Sequence, residues 1–216
     1  MIIFGTKDLA EMSKFYFETS WIRETVDAFI QDGEYIKEDT FCNLPVIPFE
    51  EVEEHFPPDE TRFFAPMSGA KMNTIRERVY LRIKEKGYTM PTFIHEKAHV
   101  WDTTAVGENC FIQELNNIQY GTTVGNNVMM WAGNHIGHHG RIESHTFFTS
   151  HVVLSGHCTV GPWSWVGVNS TIKDFTRIAE GSLIAMGASI TKNTEAWKVH
   201  IGSPARAKGK SMEVDF

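Results

Sequence analysis

No stretch of this 216-residue sequence approaches the roughly 18 consecutive apolar residues that a membrane-spanning helix needs, so no insertion into a membrane is expected. Cysteine is scarce: Cys42, Cys110 and Cys158 are odd in number and widely spaced, which suits a reducing cytoplasm better than a disulfide framework. Positive charge is in deficit, with 20 Lys and Arg against 27 Asp and Glu and a net charge of −7. That balance disfavours a nucleic-acid partner gripped through its phosphates. Residues 1–8 lack the basic region and long apolar core of a secretory signal, so the expected location is the cytoplasm. What remains is ordinary. With 42% apolar and 22% charged residues, the chain can bury the core of one large domain or two small ones.

A repeat dominates the second half. Stepping by six from Ile94 through Val100, Val106 and Ile112 to Ile190 meets seventeen positions, all apolar. At this composition such a run arises by chance less than about once in a million trials. Two residues before each lies a second series of mostly small residues, including Ala98, Cys110, Thr122, Gly140, Cys158, Ser164, Ser182 and Ala188. A period of six fits neither a helix at 3.6 nor a plain strand at 2. It fits a short strand and a turn repeated three times per triangular coil, with the aliphatic residue inside and the small one beside it. Residues 94–190 make about 5.4 coils, roughly 26 Å tall at about 4.8 Å per coil. Cys110 and Cys158 fall in the small series and read as core filler.

The first 90 residues alternate differently. Strands are expected at residues 2–4, 26–30 and 62–65, and helices at 8–19, 49–56 and 73–86, the last carrying Ile75, Val79, Leu81 and Ile83 as its apolar residues and stopped by Gly87. That order predicts a small parallel sheet, whose ligands sit at the C-terminal strand ends near Gly5-Thr6, Gln31-Asp32 and Met67-Ser68. The predicted organisation is an α/β domain over 1–90, a repeat domain over 91–195 and an extension over 196–216.

A small parallel α/β domain followed by an uninterrupted hexapeptide prism resembles the bacterial sugar acyltransferases, a group that includes nucleotide-sugar N-acetyltransferases and sialic-acid O-acetyltransferases. The resemblance covers essentially the whole chain. It implies a left-handed parallel β-helix, a homotrimer, acetyl-CoA as acyl donor in the groove between prisms, and a nucleotide-linked amino sugar held by the N-terminal domain. The catalytic histidine of that family sits in an Ile-x-His-acidic-x-x-Ile-Gly segment. Here Ile136-Gly137-His138-His139-Gly140-Arg141-Ile142-Glu143 puts His138 at that position, with His139 where an acidic, orienting residue is usual. The loop after the first strand is reduced to Gly5-Thr6-Lys7-Asp8, and Ile201-Gly202-Ser203-Pro204-Ala205-Arg206 resembles the family's closing segment.

Residue spacing adds the chemistry. Moving an acetyl group from a thioester to an amine needs a base, an oxyanion donor and alignment. Histidine suits the base, and His138, two residues past an inward Ile136, is expected at an outward corner. Residues 18 apart stack, so Gly156 is expected over His138, its N–H a candidate oxyanion donor; Asp174, one coil further, reads as a solvated charge. His135 and His139 are candidates for substrate contact. Thr6, Lys7, Asp32, Ser68 and Lys71 are candidates for the nucleotide. Gly187, Lys192 and Arg206, in a locally basic C-terminal stretch, are candidates for CoA together with Gly156.

His139, His145, His151 and His157 are six apart. Within one chain only His139 and His157 stack, so three metal ligands are expected to converge only across a subunit interface, as in the hexapeptide carbonic anhydrases. No metal is expected. His145, His151 and the tryptophans Trp131, Trp163 and Trp165 read as subunit-interface residues, with Asn127, His145 and Trp163 in one column.

The favoured reading is an acetyl-CoA-dependent N-acetyltransferase acting on a UDP-linked 4-amino-4,6-dideoxy sugar for surface-glycan synthesis. Three others stand beside it: O-acetylation of a sugar such as a sialic acid, a zinc carbonic anhydrase, and a non-catalytic sugar-nucleotide binder.

Overall fold

The computed structural model describes residues 1–214, which form two compact units. The first comprises Met1–Ser68 and Arg78–Thr92; the second comprises Gly69–Glu77 and the chain from Phe93 onward. Residues 196–214 of the expected extension fall in the second unit, and 215–216 lie outside the described residues.

In the first unit the strands are β1 (Ile2–Phe4), β2 (Ala28–Gln31), β3 (Thr40–Phe41), β4 (Leu44–Pro48) and β5 (Phe63–Phe64), in the order β3-β4-β2-β1-β5. All pairings are parallel except that of the edge strand β3 with β4. Ile2, Ile3 and Phe4 are buried on both faces, as a central parallel strand requires. Helix α1 (Asp8–Thr19) buries Ala10, Ser13 and Phe17, which lie three and four apart on one stripe. Phe17 meets Phe64 edge-on at 5.0 Å, while Phe63 meets Tyr88 edge-on at 5.3 Å within the main cluster of this unit.

The β3–β4 hairpin has no counterpart in the sequence reading. Pro45 and Pro48 argue against a strand. The turn is set instead by Cys42 and Asn43 at φ 48° and 62°, the pair of left-handed residues that a two-residue hairpin with the natural twist demands. After a short α2 (Val52–His55), helix α3 (Thr74–Glu85) follows. It exposes Leu81, expected on its apolar face, and fully buries Arg76.

In the second unit the six-residue register holds. Fourteen of the seventeen inward residues, from Ile112 to Ile190, are buried in one cluster, and Ile94, Val100 and Val106 pack against it. Each aliphatic side chain so buried contributes about 1.5–3 kcal/mol relative to exposure. Strands stack in parallel at a spacing of 18, for instance Asn117↔His135, Ile136↔Leu154 and Val160↔Ile178, giving three flat faces. The small series fills the space beside the aliphatic one. Cys110 and Cys158 are buried, each thiol near a backbone carbonyl at 3.1 Å, and burial pushes the Cys158 thiol up.

Asn116 and Asn134 of that series pair with each other, whereas the hydroxyls of Thr104 and Ser170 are buried without a partner among the described residues. Asn134 Nδ2 donates to Asn116 Oδ1 at 2.9 Å, and Asn134 Oδ1 accepts from Val152 N at 2.8 Å. The stack closes with Lys198–Gly202, parallel to Leu183–Ile184, and Ala205–Lys210, which returns antiparallel.

Candidate active site

Every corner of one kind is left-handed. At each sixth residue from Asn109 to Gly187, fourteen in succession, φ is positive. A non-glycine residue in this conformation loses about 1–2 kcal/mol. The corner N–H offsets part of that loss by bonding a carbonyl one coil earlier: His139 N to Tyr120 O at 3.0 Å, His145 N to Asn126 O at 2.9 Å, His157 N to His138 O at 2.9 Å.

His138 projects next to such a corner, and several groups hold its turn. Thr122 Oγ1 donates to Gly137 O at 2.7 Å and accepts from Gly140 N at 2.9 Å, while Gln119 Oε1 accepts from His138 N at 3.1 Å. Thr122 reads from sequence only as a member of the small series, and Gln119 carries no signal of its own; both stack 18 or 19 residues before the turn they support. A Cβ added at Gly156 would lie 2.8 Å from His138 Nε2, so only glycine leaves room for the ring. A Cβ at Gly137 would lie 2.6 Å from Gly156 N, so a second glycine keeps that amide clear. Among the described residues the Gly156 N–H donates to none. The other ring nitrogen, His138 Nδ1, lies 3.0 Å from His139 Nδ1.

The expectation that three histidines cannot converge within one chain is corrected here. His138, His139 and His157, all exposed, bring one ring nitrogen each within 4.8 Å of one another. Spacing alone stacks only the corner residues His139 and His157, whose rings lie 5.1 Å apart and nearly parallel at 11°. His138 joins them because it leans along the turn towards the next coil, edge-on to His157 at 5.0 Å. Phe175 continues the stack beneath His157 at 4.6 Å. His135 is elsewhere, half-buried on a flat face between Asn117 and Val153.

A second corner column is also not what the sequence suggests. Asn127, His145 and Trp163 were read as a subunit interface, yet residues 69–77 of the same chain pack against them. Asn73 Nδ2 donates to the carbonyls of Trp163 and Ser164, both at 3.1 Å. The fully buried Arg76 donates to Asn127 O, to His145 O at 3.0 Å, to Thr146 O at 3.3 Å and to the side chains of Asn73 and Asn127. Burial pulls its guanidinium down to about 9. Asn127 Nδ2 donates to His145 Nδ1 at 2.9 Å, which leaves the His145 proton on Nε2, 3.4 Å from Glu77. Burial first, then the Arg76 charge, lowers the His145 imidazole to about 4, so it is neutral. Trp163 stacks between His145 and Trp197.

The first unit holds a cavity of about 980 Å³ at the C-terminal ends of β1 and β2 and the start of α1. Thr6, Lys7 and Ser68 line it, as the strand-end rule predicts, along with Gln31, Tyr35 and Lys37. Asp32 does not. Its two carboxylate oxygens take a fork from Arg82 at 2.6 and 3.1 Å. Lys71 belongs to the second unit, in a left-handed turn with Met72 and Asn73. Gly187 is an open left-handed corner, and Lys192 and Arg206 are exposed.

A mutant of perosamine N-acetyltransferase from Caulobacter crescentus, in complex with CoA and GDP-perosamine, superposes with a TM-score of 0.87 over 97% of this chain and 96% of that one, at 18% identity. The acetyltransferase domain of PglB from Neisseria gonorrhoeae, in complex with acetyl coenzyme A, gives 0.84 over 96% and 98% at 16% identity. The chain has the fold of these acetyltransferases. It is an α/β domain with a small parallel sheet followed by a left-handed parallel β-helix, as the resemblance implies.

By sequence, an acyl-[acyl-carrier-protein]–UDP-N-acetylglucosamine O-acyltransferase from Stutzerimonas stutzeri is 30% identical over 115 residues, 50% of this chain. The chain spans 45% of that protein's length. No family model matches. Among the described residues no helix is long and apolar enough to cross a membrane.

Proposed function

We propose that this chain is an acetyl-CoA-dependent sugar N-acetyltransferase with His138 as its general base. The observation that carries the reading is the arrangement at one corner: the His138 ring packs over Gly156, whose amide donates to no described residue, and His138 Nδ1 lies 3.0 Å from His139 Nδ1. His138 Nδ1–H donates to His139 Nδ1, so the lone pair is on Nε2. His139 then does for the base what an acidic residue does in the family. The sugar amine attacks the thioester carbon, its proton passes to His138 Nε2, the Gly156 N–H bonds the oxyanion, and CoA leaves as the thiol. Loss of such an oxyanion donor raises the barrier by roughly 2.7–4 kcal/mol.

The cavity beside Thr6, Lys7 and Ser68 receives the nucleotide of the acceptor, with the first turn of α1 offering backbone N–H groups to phosphate. UDP is the nucleotide expected from sequence, whereas the Caulobacter complex holds GDP-perosamine. The CoA groove takes Gly187, Lys192 and Arg206 as candidate contacts, and a homotrimer completes it. O-acetylation is retained as the second reading because the curated relatives are O-acyltransferases.

Thiol release from acetyl-CoA, measured with UDP-, dTDP- and GDP-linked amino sugars beside their hydroxyl counterparts, tests all of this. Release with an amino sugar and not its hydroxyl counterpart is the expected result. Release only with hydroxyl acceptors supports the second reading, and no release with any acceptor overturns both.

A further inference from the structure

We propose that His138, His139 and His157 form a binding site for a divalent cation of the zinc type, and that its occupation silences the base; the second half rests on the function proposed above. Three imidazole nitrogens lie within 4.8 Å of one another at an exposed corner. In a tetrahedral site with zinc–nitrogen bonds of about 2.0–2.1 Å, ligand nitrogens are about 3.3–3.4 Å apart. The Nδ1 atoms of His138 and His139, at 3.0 Å, need to part by only a few tenths of an ångström to reach that spacing. His157 supplies the third nitrogen by turning out of its parallel stack with His139 and Phe175, a rotation that exposed side chains make without disturbing the coil interior. The fourth position is open to water.

The donor set selects the cation. Three neutral imidazoles with no carboxylate suit zinc, cobalt, nickel and copper, whereas magnesium and calcium demand oxygen. No backbone rearrangement is needed, because the ladder bonds of the two left-handed corners fix His139 and His157 one coil apart.

Silencing follows from the tautomer. A neutral imidazole has one lone pair and one N–H. In the transfer proposed above, Nδ1 carries the proton and Nε2 the lone pair. A cation held on His138 Nδ1 reverses this: the proton moves to Nε2, which then has nothing with which to accept the proton of the attacking amine. The sugar cavity in the first unit is untouched, so the expected loss is in kcat and not in KM.

The site is tested by titrating the tag-free full-length chain with Co²⁺, following its ligand-field absorption, and then displacing it with Zn²⁺. One Co²⁺ per chain is expected, displaced by Zn²⁺ and not by Mg²⁺. The variants H139N and H157N keep the left-handed corner, which asparagine adopts readily. Each is expected to bind at least about tenfold more weakly, since losing a ligand costs no less than losing an outer-shell partner. No saturable absorption, or binding undiminished in both variants, overturns the site.

In the thiol-release assay, Zn²⁺ is expected to lower kcat over the same concentration range in which it displaces Co²⁺, and H157N to shift both curves together. Full turnover at saturating Zn²⁺ overturns the switch. A chain that never transfers acetyl contradicts the proposed function alone, and the absorption titration still decides the site.

Discussion

Two corners of the same repeat carry histidine in the same backbone conformation and do opposite things. His139 and His157, at φ 53° and 58°, stand exposed beside His138 and Gly156. His145, at φ 64°, is buried against Asn127 and Arg76 and held neutral. The six-residue period decides where the backbone turns and which side chain points inward. It does not decide what covers a corner. One column is left open; the other is closed by nine residues of the same chain, Gly69–Glu77, and becomes structure.

The largest effect that would break this contrast is at Arg76. Arg76→Met leaves the carbonyls of Asn127 and His145 buried without a donor, and each such group costs about 1–3 kcal/mol. A loss of about 3 kcal/mol or more is expected in denaturant unfolding, and an unchanged midpoint would show that the closed column does not depend on it. At the open column, Gly156→Ala pushes the His138 ring aside, because its Cβ falls 2.8 Å from that ring. Turnover is expected to drop about 10²-fold, the effect of misplacing a reacting group by about an ångström, with the melting temperature little changed.

Ser182→Phe sharpens the register on which both columns rest. Ser182 is fully buried, its hydroxyl donating to Ala179 O at 2.7 Å, so a ring there overpacks the coil by roughly 1–3 kcal/mol. An unshifted melting temperature would place residue 182 outside the core. The smallest effect is on pH dependence. His145 titrates at about 4 folded and 6.5 unfolded, so below pH 6.5 the unfolded chain takes up a proton that the native one refuses. Its stabilisation is present above pH 6.5 and is lost as pH falls towards 4, by roughly 1–3 kcal/mol after allowance for the partly open edge of the ring. His145→Asn is expected to remove that slope from a series of melts between pH 7 and 4.

The prism was legible residue by residue because each six-residue step repeats one geometric decision, inward or outward. The stacking of Gly156 on His138 follows from the same arithmetic. What escaped the sequence is of another kind. The approach of His138 to His157 depends on how a side chain leans along a turn, which spacing does not specify. Arg76 reads as a solvent-facing residue of an amphipathic helix until the surface opposite it is known to present only carbonyls. Asp32 ends a strand where ligands gather, but Arg82, fifty residues later, claims both its oxygens. The β3–β4 hairpin is hidden by prolines tolerated in a short strand by the sheet edge. That Thr6, Lys7 and Ser68 line one cavity was legible because strand ends of a parallel sheet are a topological feature.

The most direct test of the contrast is to measure kcat and melting temperature for His138→Ala and His145→Ala side by side. The account predicts that His138→Ala lowers kcat by about 10²–10⁴ at an unchanged melting temperature. His145→Ala, losing its bond to Asn127 and its stack on Trp163, lowers the melting temperature and leaves turnover at temperatures below the melt intact. Near-normal turnover in folded His138→Ala, or a loss of turnover in His145→Ala as great as in His138→Ala, would contradict it.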